Sequence, residues 1–512
     1  MNNFVNIPLN TGLNDFDLGQ KNNEATPHFE ILNLLIDDLE KLDFVVLAFP
    51  QSEKIKKEIE KLTQIEDKDK VAELTAQLEK LKVKEKHYLI LSIENLLKVA
   101  KANDFGLCKN NDFIYLYNGA YWSNIDKENF QKFLGEASEK MGVAKFDSRH
   151  YQFIEKLFKQ FIATAYQQTP VQKTDTVLVN LKNGTFKVSP NGTNLSPFDR
   201  SDFITYQLPF DYTPKAKAPL FEKYLNQVLP DVERQKILAE YLGYVFIQPS
   251  TLKLEKTLLL YGTGANGKSV FFEIVNALFG SNNVSSYTLQ NLTDDKGYHR
   301  AKLANILINY SSEINGKLET SIFKQLVSGE PVEARLPYGE PFTMSKYAKL
   351  IFNCNELPKE VEHTNAFFRR FMIVPFDVTI AEDQQDKELS KKIINNELSG
   401  VFNWVLDGLN RVLAQKNFSY CEASNKAREV YETESDSVKM FIDSSGYEKS
   451  LNEYELASHL YTEYKKFCDE DGYRAVGKKM FLSRLNSFGV QKKKLNTGNV
   501  LYLKKVQKNN SQ

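Results

Sequence analysis

Hydrophobic positions recur along this chain with two different periods, and the places where the period switches divide it. Between Gln51 and Lys86, Ile55, Ile59, Leu62, Leu74, Leu78 and Leu81 fall at three- and four-residue steps within a Lys/Glu-rich background. That spacing predicts a long helix or an antiparallel helical pair. From about residue 95 to 215 the texture is mixed. Phe113 to Tyr117, followed by Asn118-Gly119 and Tyr121-Trp122, predicts a β-hairpin, and Asn183-Gly184 and Asn191-Gly192 predict two further turns. Pro209, Pro214 and Pro219 mark a boundary, and Phe221 to Phe246 is again helical in period. The apolar runs Thr257–Tyr261, Leu303–Ile308 and Tyr347–Phe352 then read as buried strands alternating with helices. After Asp377 the pattern is mostly helical until about Ser435, where a compact terminal unit begins.

Length and composition bound this picture. The chain has 512 residues, 42% hydrophobic and 26% charged, an ordinary globular mix with room for about three domains. No run approaches the ~20 apolar residues of a membrane span. Met1 to Gln20 lacks a basic stretch followed by an apolar core, so no secretory signal is expected. Cys108, Cys354, Cys421 and Cys468 lie far apart without a C-x-x-C pair, which excludes a zinc ribbon and fits a reducing, cytoplasmic setting. Formal net charge is zero, yet Asp471 to Gln512 holds ten Lys/Arg against one acid. That tail is therefore +9 and the remainder −9. A basic block on a neutral chain points to a local module for a polyanion, in the first place nucleic acid.

The sharpest chemical signal is Gly262-Thr-Gly-Ala-Asn-Gly267-Lys268-Ser269, a complete G-x-x-x-x-G-K-[ST]. It follows the apolar run Thr257–Tyr261 and opens an amphipathic stretch from Val270 to Phe279, which Gly280 ends. In such a loop the glycines let successive N–H groups face a phosphate, and the helix adds its positive end. Lys268 would bridge the β- and γ-phosphates and Ser269 would coordinate Mg²⁺. Hydrolysis also needs an acid, something to orient water, and a positive charge for the transition state. Glu313 lies just past the second apolar run, Asn355 just past the third, and Arg369-Arg370 abut the apolar Phe371–Val374.

In this order, these elements resemble the superfamily 3 helicases, ring-forming AAA+ ATPases of viruses, phages and plasmids. More narrowly, residues 96–512 look like the phage/plasmid primase–helicase family related to the poxvirus nucleoside-triphosphatase. The resemblance implies an α/β AAA+ P-loop ATPase core, with a preceding α+β domain and a C-terminal winged helix. The divisions would be 1–95, a helical and charged region; 96–215, the α+β domain; 216–434, collar helices, ATPase and helical lid; and 435–512, the winged helix. Gly262, Thr263, Gly264, Ala265, Asn266, Gly267, Lys268, Ser269 and Val270 would bind ATP, with Mg²⁺ held by Ser269 and Glu313. Glu313 would be the Walker B acid, although Ser312 stands where the commoner form has a second acid. Asn355 would be sensor 1 within Asn355-Glu-Leu-Pro358. Arg370 would be the finger that reaches a neighbouring subunit, with Arg369 its substitute.

The family's pore β-hairpin would span Val332 to Lys346, placing Arg335, Tyr338 and Lys346 toward DNA. In the winged helix, Gly477 to Phe488 would be the recognition helix carrying Lys478, Lys479 and Arg484, and Lys492, Lys493 and Lys494 would lie on the wing. Residues 1–95 are too few for a polymerase core, and Asp15/Asp17, Asp67/Asp69 and Asp37-Asp38 lie in no strand that could hold a metal pair. No primase activity is expected. The resemblance thus implies an ATP-dependent replicative helicase and replication initiator of a mobile element, acting on single- and double-stranded DNA as a hexameric ring, with element or host replication proteins as further partners. The alternative is a DNA-binding replication regulator that uses ATP as an assembly switch without unwinding.

Overall fold

The computed structural model describes residues 26–110, 113–167, 175–312, 314, 318–337, 339–358, 363–473 and 475–506. Glu313 and Tyr338, and the Asp15/Asp17 pair, lie outside them. The described residues form two units, one taking in 26–188 and 192–211, the other 189–191 and 212–506.

In the first unit the Lys/Glu-rich stretch is a pair of helices in contact, Gln51–Gln64 and Lys68–Glu79. Asp67 caps the second of them by accepting from Lys70 N at 3.3 Å. Both expected kinds of hairpin form: Gly106–Asn110, Phe113–Tyr117 and Trp122–Ile125 make one three-stranded sheet, and Val177–Leu181, Gly184–Ser189 and Gly192–Ser196 another. Position 95 is not a division in this unit. Ile31, Leu35 and Phe44 share one hydrophobic core with Leu96, Leu116, Phe130 and Phe161. An early amphipathic helix has no other face on which to bury its apolar stripe.

The second unit is mixed α/β around a five-stranded sheet. Its strands are β1 (Thr257–Tyr261), β2 (Val284–Ser285), β3 (Ile308–Ser311), β4 (Lys349–Cys354) and β5 (Phe371–Pro375). They lie in the order β5-β1-β4-β3-β2, and every pairing is parallel. Leu258, Leu259, Leu260, Ile351, Phe352, Ile373 and Val374 are buried, as strands covered on both faces require. β3 departs from the pattern read in the sequence. Leu303 belongs to a turn, Ala304 forms only an isolated bridge to Tyr347, Asn305 adopts φ +61°, and the strand begins only at Ile308. Its buried Asn309 is satisfied by Ser285 Oγ at 2.9 Å, Tyr287 N at 2.8 Å and Tyr287 O at 2.9 Å. A polar residue can therefore occupy a strand that hydropathy alone ends too early.

Helices flank this sheet on either side in sequence. Pro219–Val228 and Val232–Tyr244 precede it; Leu398–Gln415 and Glu422–Glu434 follow. Val232–Tyr244 and Leu398–Gln415 meet backbone to backbone: a Cβ on Gly408 would stand 2.2 Å from Ala239 O, and one on Gly243 2.5 Å from Leu409 N. Buried Glu240 accepts from Arg411 Nε at 3.1 Å and from Ser419 N at 2.7 Å. The Glu397 carboxylate accepts the amides of Leu220 and Phe221 at 3.0 and 2.9 Å, capping the first helix from a residue far along the chain. Farther on, Ser437–Ser444, Ala457–Glu470 and Lys478–Ser487 enclose Val438, Phe441, Leu460, Tyr464, Phe481 and Leu485, with a hairpin of Lys492–Leu495 and Gly498–Leu501 beside them.

All four cysteines are buried and free. No helix among the described residues is long and apolar enough to cross a membrane. Because the Gly408 crossing leaves no room for one carbon, Gly408→Ala should cost about 1–3 kcal/mol. The check is a chemical denaturation midpoint that falls with an unchanged m-value.

Candidate functional site

Parallel strands place their carboxyl ends together, and the glycine loop emerges there from β1. Gly262 has φ +156° and Gly267 φ +86°. A Cβ would stand 2.2 Å from Phe376 O at the first and 2.5 Å from Val228 Cγ1 at the second. Only glycine allows that approach. The loop is tied down on every side. Gly262 N donates to Cys354 O at 3.1 Å, at the end of β4. Asn266 Nδ2 donates to Phe376 O at 2.9 Å, and Ile380 N donates to Ala265 O at 2.8 Å. From beneath, the buried Tyr224 hydroxyl donates to Gly267 O at 2.8 Å. Sequence reasoning placed Tyr224 on a helix but gave its hydroxyl no role, since nothing local links it to a residue 43 positions away.

Lys268 opens the helix Lys268–Phe279 and is 7% exposed. Its ammonium donates to Gly262 O at 2.5 Å, Thr263 O at 3.1 Å and Asn266 Oδ1 at 3.1 Å. Among the described residues no carboxylate pairs with it. Burial pulls its pKa below the ordinary lysine value, with the nearby Cys354 sulfur a smaller, opposing influence. Carbonyl dipoles offset the loss of water around such a cation only in part, so the site is matched to an anion.

Beside Lys268 lies a cleft of about 610 Å³, within the ~300–1,000 Å³ of small-molecule sites. Ser269, Val270, Ser312 and Asn355 line it, with Leu220 and Ile380 as apolar surface. Asn353 lines it as well, although the sequence pattern ended that strand at Phe352. Asn353 is buried, and its Oδ1 accepts from Tyr310 Oη at 2.9 Å. Thr263, Gly264 and Ala265 are exposed on the loop. Loop amides, a buried ammonium and two hydroxyls make a donor set suited to a polyphosphate with its cation.

Both arginines stand at the opposite end of the sheet, where Thr257 N donates to Arg370 O at 2.8 Å. A five-residue strand of ~3.3 Å per residue separates them from the loop. Their relative standing is the reverse of the sequence expectation. Arg370 is buried: Nη2 donates to Ser328 Oγ at 2.9 Å and Nη1 to Ala366 O, while Glu255 lies 3.4 Å away. The Arg369 side chain is 56% exposed and pairs with Glu255 at 2.8 Å. Lys256 adds to this cationic edge by donating to Arg369 O, and burial, with Arg428 and Arg369 near, pulls its pKa down to about 8.

The hairpin forms from Val332–Arg335 and Pro341–Met344. Arg335 pairs with Pro341 at its tip, exposed, with Nε donating to Gly339 O at 2.8 Å. Lys346 is also exposed but lies past the Val332–Met344 pair, at the base. The ladder thus separates two residues that the sequence had grouped. In the C-terminal part Lys478, Lys479, Lys492, Lys493 and Lys494 are all exposed. Arg484 is not a free contact. Its side chain is 16% exposed, and Nη1 donates to Asp436 Oδ1 at 3.1 Å. Asp436 also caps Ser437–Ser444 through Val438 N at 2.9 Å. His363 lies 3.7 Å from its other oxygen and bonds Ser435 O at 2.6 Å. Helical spacing carries Arg484 to the face of buried Phe481 and Leu485, inward rather than outward.

Residues 94–230 match the family described as D5 N terminal like. Residues 260–370 match a family of unknown function, DUF5906, a stretch running from the end of β1 to the residue before β5. Among solved structures, an A form apo structure of the NrS-1 C-terminal region is 13% identical, with a TM-score of 0.45, covering 80% of this chain and 98% of that one. An A form apo structure of its residues 305–718 is 12% identical at a TM-score of 0.43, with the same coverage. A further apo structure of that region is 11% identical at 0.43, covering 79% and 97%.

The two kinds of C-terminal cation separate experimentally. Arg484→Gln leaves Asp436 without its charged partner and should lower stability by about 3 kcal/mol, read as an earlier thermal transition. Replacing Lys492, Lys493 and Lys494 with Gln should leave that transition in place. It should instead flatten the dependence of log K on log salt for duplex DNA by about 2–3.

Proposed function

We propose that this chain is an ATP-dependent replicative DNA helicase of the superfamily 3 type, serving a phage, plasmid or other mobile element as a hexameric ring and as its initiator. One observation carries the reading: a buried Lys268, with no carboxylate partner among the described residues, in a glycine loop between β1 and a helix, at the carboxyl edge of a parallel sheet ordered β5-β1-β4-β3-β2. The D5 N terminal like match, over the stretch preceding that loop, supports the family assignment.

On this reading the loop amides from Gly264 to Ser269 hold the phosphates, and Lys268 exchanges its carbonyl partners for their oxygens. Ser269 with Glu313 would hold Mg²⁺, which when bound neutralises charge building on the phosphates. Glu313 would also accept the proton of the attacking water, and Asn355 with Asn353 would orient that water. A guanidinium supplied by Arg369 or Arg370 would have to come from another chain, because both stand at the far edge of this chain's sheet. Arg369 is the better finger, being exposed where Arg370 is committed to Ser328 and Ala366. The hairpin tip and the C-terminal lysines would meet DNA through phosphate contacts.

DNA-stimulated ATPase activity and unwinding of a forked duplex test the reading, and a chain that binds ATP without turnover would be a switch instead of a motor. Lys268→Ala should abolish hydrolysis with the fold intact. Glu313→Gln should bind ATP at near wild-type affinity and turn it over ~10³-fold or more slowly.

The ring makes a second demand. Arg369→Ala should bind ATP normally but lose ~10³–10⁵ in rate. Mixed with Lys268→Ala, each inactive alone, it should recover activity once co-assembly is shown by pull-down of differently tagged chains. If Arg370→Ala complements and Arg369→Ala is already active, the finger is Arg370.

A further inference from the structure

The segment between β2 and β3 holds a second buried cation that none of these steps uses. Arg300 is 5% exposed, on the short helix Tyr298–Ala301. Nε donates to Glu333 O at 2.8 Å, and Nη1 donates to Leu292 O at 2.9 Å and to Asp294 O at 3.0 Å. Among the described residues no carboxylate forms an ion pair with it, although Asp294, Glu333 and Asp295 act on it from farther off. A buried charge satisfied only by main-chain carbonyls is a poor way to gain stability, since a well-packed apolar side chain does as well or better. What a guanidinium supplies is a planar, rigid fork that fixes the relative position of the groups it joins.

Those groups belong to two different elements. Leu292 ends the short helix Leu289–Leu292 and Asp294 lies just after it, both ahead of β3, and Glu333 is inside the first strand of the hairpin. Val332 and Ala334 of that strand also pack in one core with Leu292, Ala301 and Leu303, but its direct backbone hydrogen bond to the loop is long. Arg335 N reaches Gly297 O at 3.5 Å, the long limit of a hydrogen bond. A Cβ on Gly297 would meet Arg300 Nη2 at 2.9 Å and Ala334 Cα at 3.5 Å, so guanidinium, loop and strand are in close contact. The other strand has its own tie: Tyr347 Oη donates to Glu330 O at 2.7 Å and to Gln325 O at 3.2 Å. The hairpin is therefore packed into the core through Val332, Ala334 and Met344, tied at its base by Tyr347, and joined along the main chain of its first strand by Arg300.

We propose that Arg300 is the positioning residue of this hairpin, fixing through the Glu333 carbonyl the direction in which Arg335 is presented to the phosphate backbone of DNA. This rests on the reading that the hairpin grips DNA. Arg300 itself makes no contact with DNA. It sets how the contact is aimed, two residues ahead of Arg335 on the same strand.

The test compares full-length wild type with Arg300→Gln and Gly297→Ala by hydrogen–deuterium exchange and by ATPase activity with and without single-stranded DNA. Amides of 332–335 and 342–344 should exchange about tenfold faster or more in both variants, reflecting the loss of a charge-assisted hydrogen bond. Amides of β1 and β4 should stay protected. The ratio of DNA-stimulated to basal ATPase activity should fall in parallel, which a general loss of stability would not produce. If Arg300→Gln exposes the sheet as well, Gly297→Ala decides, since it displaces the guanidinium without deleting it. Hairpin exchange at the wild-type rate in a folded variant overturns the assignment, as does faster hairpin exchange with an unchanged stimulation ratio. A wild-type ATPase indifferent to DNA sinks the helicase reading instead, and the exchange rates still decide whether Arg300 holds the hairpin.

Discussion

Five strands running in one direction impose a single asymmetry from which the remaining geometry follows. Every strand delivers its carboxyl end to the same edge, so the loop after β1, Ser312 after β3 and Asn355 after β4 converge without any of them being near another in sequence. The same asymmetry sends whatever precedes a strand to the other edge, and Arg369 and Arg370 precede β5. On the proposed reading, the glycine loop and the arginine that would complete its site stand at opposite ends of one sheet. Placing the far edge of one copy against the near edge of the next would unite them, a heterologous contact that closes into a ring when the rotation allows.

Lys268, Arg370 and Arg484 are held in three different ways, and their partners distinguish them. Lys268 sits on the carbonyls and amide oxygen of its own loop, all of them groups that can be given up to an incoming anion. Arg370 is held by Ser328 and Ala366, with Glu255 nearby. Arg484 is paired with a carboxylate that is itself a helix cap. Of these three, only Lys268 lines a cavity while lacking a carboxylate partner among the described residues.

Local signals were readable in the sequence and distant ones were not. The strand, glycine loop and helix from Thr257 to Phe279 are specified by contiguous residues, as are the hairpins at Asn118-Gly119 and Asn183-Gly184. β3 was read too early because Asn309 and Tyr310 are buried by partners on neighbouring elements that hydropathy does not see. Asn353 was missed for a similar reason, because a polar residue was taken as the end of a strand that continues through it. Arg484 looked like a contact on an exposed helix until its partner, 48 residues earlier, turned it inward. Likewise the choice between adjacent Arg369 and Arg370 rests on Ser328 and Glu255, neither of them adjacent in sequence.

The Glu397 cap carries a consequence for how the protein is made. The helix Pro219–Val228 supplies Tyr224, on which the glycine loop rests, yet its first amides are satisfied by a side chain 176 and 177 residues farther on. Synthesis runs from the amino end at about 5–20 residues per second, so this helix and Val232–Tyr244 leave the ribosome many seconds before Glu397 and the Leu398–Gln415 helix that covers them. Through that interval the apolar surface that the Leu398–Gln415 helix covers stays open, and the first amides of Pro219–Val228 lack their cap. Nascent chains stalled short of residue 397 are therefore the species on which a chaperone that recognises exposed apolar surface would act, and the cleft becomes competent only near the end of translation.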